Sequence, residues 1–454
     1  MYRKNILQRG LVAFKALLIV ALLITTASAQ SLFKEKALLL ASNRQGGDYF
    51  GASLGIDGNF CIIGAPNKTV KLKGATLDFA GTAYIFERDV QGRWLEKAIL
   101  YPPDLQAEDA FGIEVAISGY YALVSAIYRD LEKGADYYSS VGAVYVFARQ
   151  PNGQWINQAI LLPPDAAADD YFGYAISLSG NLCAVGAPYK DLGNGIEGED
   201  AGAVYIFELD PKGNWVFRYK FVSPEPQAQG LFGKAVAIDK NICIVGACGE
   251  KRRVGPCIQK GRVYVLEKDS RGSWQYKTEL VPKTSPLEDI FGYDLALRDN
   301  LCLVGVLDGI GVEKVGNGID TVLKDDGKGM AILFLRDPNG NWQEQAALKP
   351  LQPQPGSDFG ITVALGSDYC LVGAPCYNAK TDENLLDTGA VYLFVRDNLG
   401  HYQEVAMIQD PSPSGFDNFG TRIAARGNTF AVGSLLKDDP AGIADCGAVF
   451  VYER

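Results

Sequence analysis

Phe-Gly recurs seven times in this chain, at Phe50-Gly51, Phe111-Gly112, Phe172-Gly173, Phe232-Gly233, Phe291-Gly292, Phe359-Gly360 and Phe419-Gly420. The steps average roughly 61 residues. A period of this size marks an array of one supersecondary unit, so the two or three domains that length alone suggests do not apply.

Fourteen residues after each Phe stands a second landmark, clearest as Gly64-Ala65-Pro66, Gly186-Ala187-Pro188 and Gly373-Ala374-Pro375. It is weakest at Ser125-Ala126-Ile127. A third, Gly-x-x-Tyr-x-Phe, runs from Gly81 to Phe86, Gly142 to Phe147, Gly202 to Phe207 and Gly389 to Phe394, and is relaxed in the other units. A tight turn and an aromatic follow, at Trp94, Trp155, Trp215, Trp274, Trp342 and Tyr402. Short apolar or alternating runs bounded by Gly, Pro, Asn and Asp read as strands, four to each unit. In the first unit strand A is expected at about 50–56, B at 60–63, C at 83–87 and D at 94–100.

Four-stranded units repeated around an axis form a propeller, whereas a linear stack needs polar caps. The last unit stops at Val451-Tyr452-Glu453-Arg454 without a strand D. Near the other end, Leu32 to Leu39 matches the strand D Trp94 to Leu100. The sequence therefore predicts an all-β, seven-bladed propeller of four-stranded antiparallel blades, its ring closed by residues 32–40 completing the last blade.

These landmarks resemble FG-GAP repeats, the units of the N-terminal propeller of integrin α subunits and of many secreted bacterial proteins. The resemblance spans essentially all of residues 30–454. It implies the propeller fold and extracellular recognition, and it leaves the ligand open. It also implies calcium loops between strands A and B, and here this chain departs from the pattern. The connections are tight turns such as Asp57-Gly58-Asn59, Ser179-Gly180-Asn181 and Arg426-Gly427-Asn428, too short to wrap an ion that takes six to eight oxygens. No calcium or other cofactor is expected.

Arg3, Lys4 and Arg9 precede an apolar run from Ala16 to Ile24 that ends in Ala27-Ser28-Ala29. This is the pattern of a secretory signal peptide over residues 1–29, leaving residues 30–454 as the mature propeller. No later stretch is apolar enough to span a bilayer. The formal net charge is −10, and losing the leader makes it more negative. Such a surface repels phosphate backbones, so nucleic acid is an unsuitable partner.

Asp48, Asp109, Asp170, Asp289 and Asp417 each precede a Phe-Gly by two residues, with Gly230 and Ser357-Asp358 in the remaining units. The plain reading is a carboxylate fixing the turn into strand A through backbone hydrogen bonds. The sharper one is an acidic rim that binds cations or basic partners. Variable loops on a rigid scaffold are where binding usually lives, and the long B–C and D–A loops share one face. The longest, about 308–328, holds Glu313, Asp320, Asp325 and Asp326 as further ligand candidates. Cys61, Cys183, Cys243, Cys302 and Cys370 occupy one equivalent inner-strand position and read as reduced core thiols. Cys248 and Cys257 bracket one loop and could form a disulfide in an oxidising compartment, with Cys376–Cys446 as a less direct pairing. Asn67-Lys68-Thr69 is a glycosylation sequon.

His401, the one histidine, sits on a hairpin turn. No nucleophile elbow, phosphate loop or dinucleotide fingerprint is present. The leading expectation is a secreted or cell-envelope recognition module that binds a protein or glycan through its long-loop face. A carboxylate-based hydrolase of carbohydrate is the alternative, which clustered aromatics and carboxylates on that face would favour. A structural envelope repeat, which a featureless face would favour, is the third.

Overall fold

The computed structural model describes residues 32–193, 195–254, 257–284, 290–307, 311–312, 323–324, 329–379 and 385–454. Seven four-stranded antiparallel units follow one another. Blade 1 consists of strands A Ser53–Asp57, B Phe60–Ala65, C Thr82–Arg88 and D Trp94–Leu100, hydrogen-bonded in that order. Strand B is almost wholly buried and strand D alternates between exposed and buried residues. Strand B is covered on both faces by the neighbouring blades, while strand A at the channel wall and strand D at the rim stay partly exposed. The units at 115–161, 175–221, 232–280, 290–348 and 363–408 repeat the arrangement. The expected strand positions hold to within a few residues, and strand D of blade 1 coincides.

Blade 7 closes the ring. Phe419–Arg426, Thr429–Ser434 and Ala448–Glu453 supply strands A to C, and Lys34–Leu39 pairs antiparallel with the last of them as strand D. The match extends to a defect in register. In blade 1 the C–D ladder skips Lys97 between Glu96 and Ala98, and in blade 7 it skips Lys36 between Glu35 and Ala37. A bulge inserts one unpaired residue and sharpens the local twist. The N-terminal segment is thus a full structural copy of an outer strand.

Seven apolar clusters lie between successive blades, and none is confined to one blade. The joint of blades 7 and 1, for example, gathers Phe50, Ile63, Tyr84, Val449 and Val451. The backbone approaches closest at the same joints. The amide of Phe111 donates to Ala80 O at 2.8 Å, and Phe50 repeats the bond across the closing joint to Cys446 O at 3.1 Å. A Cβ placed on Gly64 would stand 1.9 Å from Gly112 O, and one on Gly81 would stand 2.2 Å from Phe111 O. Both glycines are therefore demanded by the neighbouring blade's Phe-Gly. Blade 2 carries Ser125 where the others carry the first of these glycines, and its hydroxyl donates to Glu114 O at 3.3 Å.

Two features exceed the sequence reading. The B–C loops of blades 1 and 2 carry small hairpins of their own, Val70–Leu72 with Ala75–Leu77 and Leu131–Lys133 with Asp136–Tyr138. In blade 4 the B and C strands extend into a long hairpin, Ile242–Val254 with Cys257–Lys268.

Gly186→Ala places a methyl 2.0 Å from Gly233 O. It is expected to destabilise the propeller by about 2–3 kcal/mol, the range for overpacking, as measured by denaturant unfolding. Ser125→Gly should stay within about 1 kcal/mol of wild type. Removing residues 32–40 should lower the melting temperature and promote aggregation through the bared edge of 448–453. An unchanged melting temperature would refute closure by that strand.

Candidate functional site

The long-loop face is built by D–A turns that lead into each Phe-Gly, and the aspartates singled out from the sequence sit in those turns. Asp48, Asp109, Asp170 and Asp417 are only 1–3% exposed. Each accepts a backbone N–H from three residues upstream, from Gln45, Gln106, Ala167 and Ser414 at 2.6–2.8 Å. They form no solvent-facing acidic rim. The rim reading is corrected on that burial, and in blades 1, 3 and 7 the carboxylate is satisfied internally. Asp289, Glu313, Asp320, Asp325 and Asp326 lie outside the described residues.

The internal partner is a lysine that sequence reading missed. Lys68 Nζ lies 2.7 Å from Asp48, Lys190 Nζ 2.9 Å from Asp170 and Lys437 Nζ 2.9 Å from Asp417. Each lysine also donates to a backbone carbonyl at the turn's start, of Asn43, Asp165 and Ser412. The signal was available, since each lysine follows its aspartate by 20 residues. Blade 4 reverses the polarity. Gly230 replaces the aspartate and Glu250 stands in the lysine position, fully buried, 3.6 Å from Arg262 and accepting from Tyr264 OH.

Blade 2 breaks the pattern differently. Arg129 replaces the lysine and turns to Asp104 at 2.5 Å. Asp109 keeps the Gln106 amide, and among the described residues no side chain forms an ion pair with it. Burial pushes its carboxyl up to about 6, with nearby Asp104 and Asp130 adding to the rise and Arg129 opposing it. Asp109 also lines a cavity of about 470 Å³ between blades 1 and 2, together with Asn67, Phe79, Gln106, Glu108 and Tyr128.

The axis holds a second constellation. A cavity of about 360 Å³ is lined by strand A of all seven blades. In blades 2 to 7 a residue two or three places after the Phe enters it at the start of strand A, at the end facing the long loops. Arg422 Nη2 donates to Glu114 at 2.6 Å, linking blades 7 and 2 across the opening. Asp294 accepts Val363 N at 2.8 Å. Burial raises both carboxyls, each further lifted or relieved by the charges around it. Lys234 Nζ donates to Tyr174 OH and lies 3.9 Å from the centre of that ring and 5.8 Å from that of Tyr293. From Tyr174 an edge-to-face series of rings runs outward through Tyr189 (5.8 Å), Tyr171 (5.2 Å) and Tyr128 (5.7 Å).

A family profile described as FG-GAP repeat matches residues 33–86, 94–147, 155–207 and 342–394. Each match begins on an outer strand D and ends on the aromatic of strand C, so the repeat unit is offset from the blade by one strand. The chain is an FG-GAP repeat protein. No curated protein matches it. The crystal structure of a protein from Lactobacillus plantarum is similar at 13% identity, over 83% of this chain and 89% of that one, with a TM-score of 0.46.

Among the described residues of this FG-GAP propeller, no three His, Cys, Asp or Glu side chains converge as metal ligands. Cys61, Cys183, Cys243, Cys302 and Cys370 are buried, and burial pushes the Cys61 thiol up to about 12. The Cys248–Cys257 disulfide is not formed. Cys248 is a free thiol, and the hairpin register sets Cys257 opposite Val254. Cys446 is likewise free, while Cys376 donates to Asp358 at 3.2 Å.

The ion pairs and the lone carboxylate give opposite expectations. Lys190→Met strands Asp170 and should cost about 3–5 kcal/mol in denaturant unfolding at pH 7. Asp109→Asn removes a carboxylate whose folded pKa lies above its unfolded one, so ionisation destabilises the native state as pH rises from about 4 to 6. The variant should gain up to about 3 kcal/mol at pH 7, and the gain should vanish by pH 4.

Proposed function

We propose that this FG-GAP propeller is an extracytoplasmic recognition module that meets a protein or glycan with its B–C/D–A face, without metal. The tyrosine series carries this reading. Rings held edge to face from Tyr174 to Tyr128 lose little conformational entropy on binding, and they present flat apolar area with a polar tip. Tyr128 and Phe79 are large aromatics left in water on the same face. Aromatic anchors of this sort dominate binding energy where surfaces meet. The opposite face offers short turns instead, tied to one another from blade to blade, as by Gly119 N donating to Asp57 at 2.7 Å.

Export by the N-terminal segment suits the reading. Among the described residues no helix is long and apolar enough to cross a membrane. The aromatic face also speaks against a purely structural envelope repeat.

A carbohydrate hydrolase is the second reading, favoured by the carboxylates of Glu114 and Asp294 beside Tyr174 and Tyr293. Against it, Glu114 is engaged by Arg422 and Asp294 by a backbone amide, where an acid–base pair needs room for substrate.

Purified residues 30–454 should bind cell-surface proteins or an arrayed glycan, and a chelator should leave that binding unchanged. Tyr128→Ala with Tyr171→Ala should weaken it at least tenfold while the melting temperature holds. Binding that survives the double variant would move the site elsewhere. Turnover of a glycoside that Glu114→Gln abolishes would replace recognition with hydrolysis.

A further inference from the structure

The groove between blades 1 and 2 differs from its counterparts in ways that point to one ligand chemistry. In blades 1, 3 and 7 the turn carboxylate is neutralised by a lysine ammonium at 2.7–2.9 Å. In blade 2 Arg129 is drawn away to Asp104, and among the described residues no ion pair reaches Asp109, which is 3% exposed and feels Arg129 only from beyond contact. A buried carboxylate without a paired cation is a standing cost to the fold.

That carboxylate lines an open cavity of about 470 Å³. Glu108 and Asp130 line it as well, and among the described residues no Lys, Arg or His does. Asp130 is partly committed, accepting from Tyr137 OH and the Ser140 amide. The cavity walls include Phe79, 57% exposed, and Tyr128, 47% exposed and braced against Tyr171. Phe79 sits at φ 51°, where the equivalent places in blades 2, 3, 6 and 7 hold Ser140, Asp200, Asp387 and Asp445. Aspartate, which fills three of those places, enters the left-handed region more readily than phenylalanine does. An exposed ring is kept there against both backbone preference and hydration.

Carboxylates and aromatic faces around one space suit a cation, which gains from charge and from the rings' quadrupoles. Asn67, Gln106 and Ser140 add uncharged hydrogen-bonding groups to the lining. The space is far larger than one amino-acid side chain fills and falls in the range of small-ligand sites. Flat apolar walls, amides and hydroxyls for a polyol, and carboxylates for an amine together describe an amino sugar.

We propose that this groove binds a saccharide bearing a primary amine, its ammonium on Asp109 and Glu108 and its ring between Phe79 and Tyr128. The assignment rests on the reading of the long-loop face as the binding face, and deepens it.

The probe is an oligomer of glucosamine, titrated calorimetrically into the full mature chain. Its fully N-acetylated form, a neutral glucan of equal length and a lysine-containing peptide serve as comparisons. Saturable binding is expected from the free amine. Asp109→Asn, which should fold at least as stably as wild type, should weaken it at least tenfold, and Phe79→Ala should do the same. N-acetylation should abolish it. No binding, equal binding of the neutral glucan, or binding indifferent to Asp109→Asn would overturn the proposal. A lysine peptide that binds as tightly as the amino sugar would also overturn it, by making the ligand a protein. If the chain still binds cell-surface material through Tyr128 and Tyr171 while ignoring glucosamine oligomers, only this inference falls. Loss of both would remove the long-loop face as a binding face.

Discussion

Everything in this propeller depends on how close one blade's Phe-Gly can come to the two glycines of the blade before it. The approach lets the Phe amide bond across the joint, as Phe111 does to Ala80 O, and it leaves no space for a side chain on Gly64 or Gly81. Backbone proximity draws the apolar faces of adjacent blades into one cluster. Because each cluster belongs to a joint and not to a blade, no blade has a core of its own. Closure is then a condition of stability, and the strand Lys34–Leu39 supplies it together with Phe50, Arg88 and their partners in blade 7.

A ring this constrained frees its outer loops. Side chains on the D–A turns and B–C loops can vary while the turn geometry repeats, since the fold is already secured near the axis. The lysine–aspartate pairs show how a repeated position tolerates change when chemistry is conserved as a pair. Blade 4 reverses the charges and keeps a pair. Blade 2 keeps the carboxylate and redirects the cation. A guanidinium carries its charge further from the backbone than an ammonium, and here it reaches Asp104 Oδ2. The substitution that unpairs Asp109 also places it beside a cavity and two exposed rings.

The channel opening tells a contrasting story. Its charges are matched within the ring, Arg422 with Glu114, and Lys234 donates to Tyr174 OH. These contacts join blade 2 to blade 7 and blade 3 to blade 4 around the axis. Their raised carboxyls follow from that burial and serve equally as a structural clasp.

Fold class, blade count, ring closure and the identity of the long-loop face were all legible in the sequence, because each rests on periodicity and spacing that a one-dimensional text preserves. The structural role of the cysteines at the shared inner-strand position was legible for the same reason. So, in principle, was the lysine partner of each aspartate at its constant separation. What only the tertiary structure decided was which charges are satisfied and which are not. Asp48 and Asp109 occupy identical places in the repeat, and they differ in environment because a side chain 20 residues away reaches one and not the other. The same holds for Cys248, whose distance from Cys257 is set by the register of an extended hairpin that loop length did not reveal. Burial and partnership are properties of contacts across blades, and they exist only once the ring has closed.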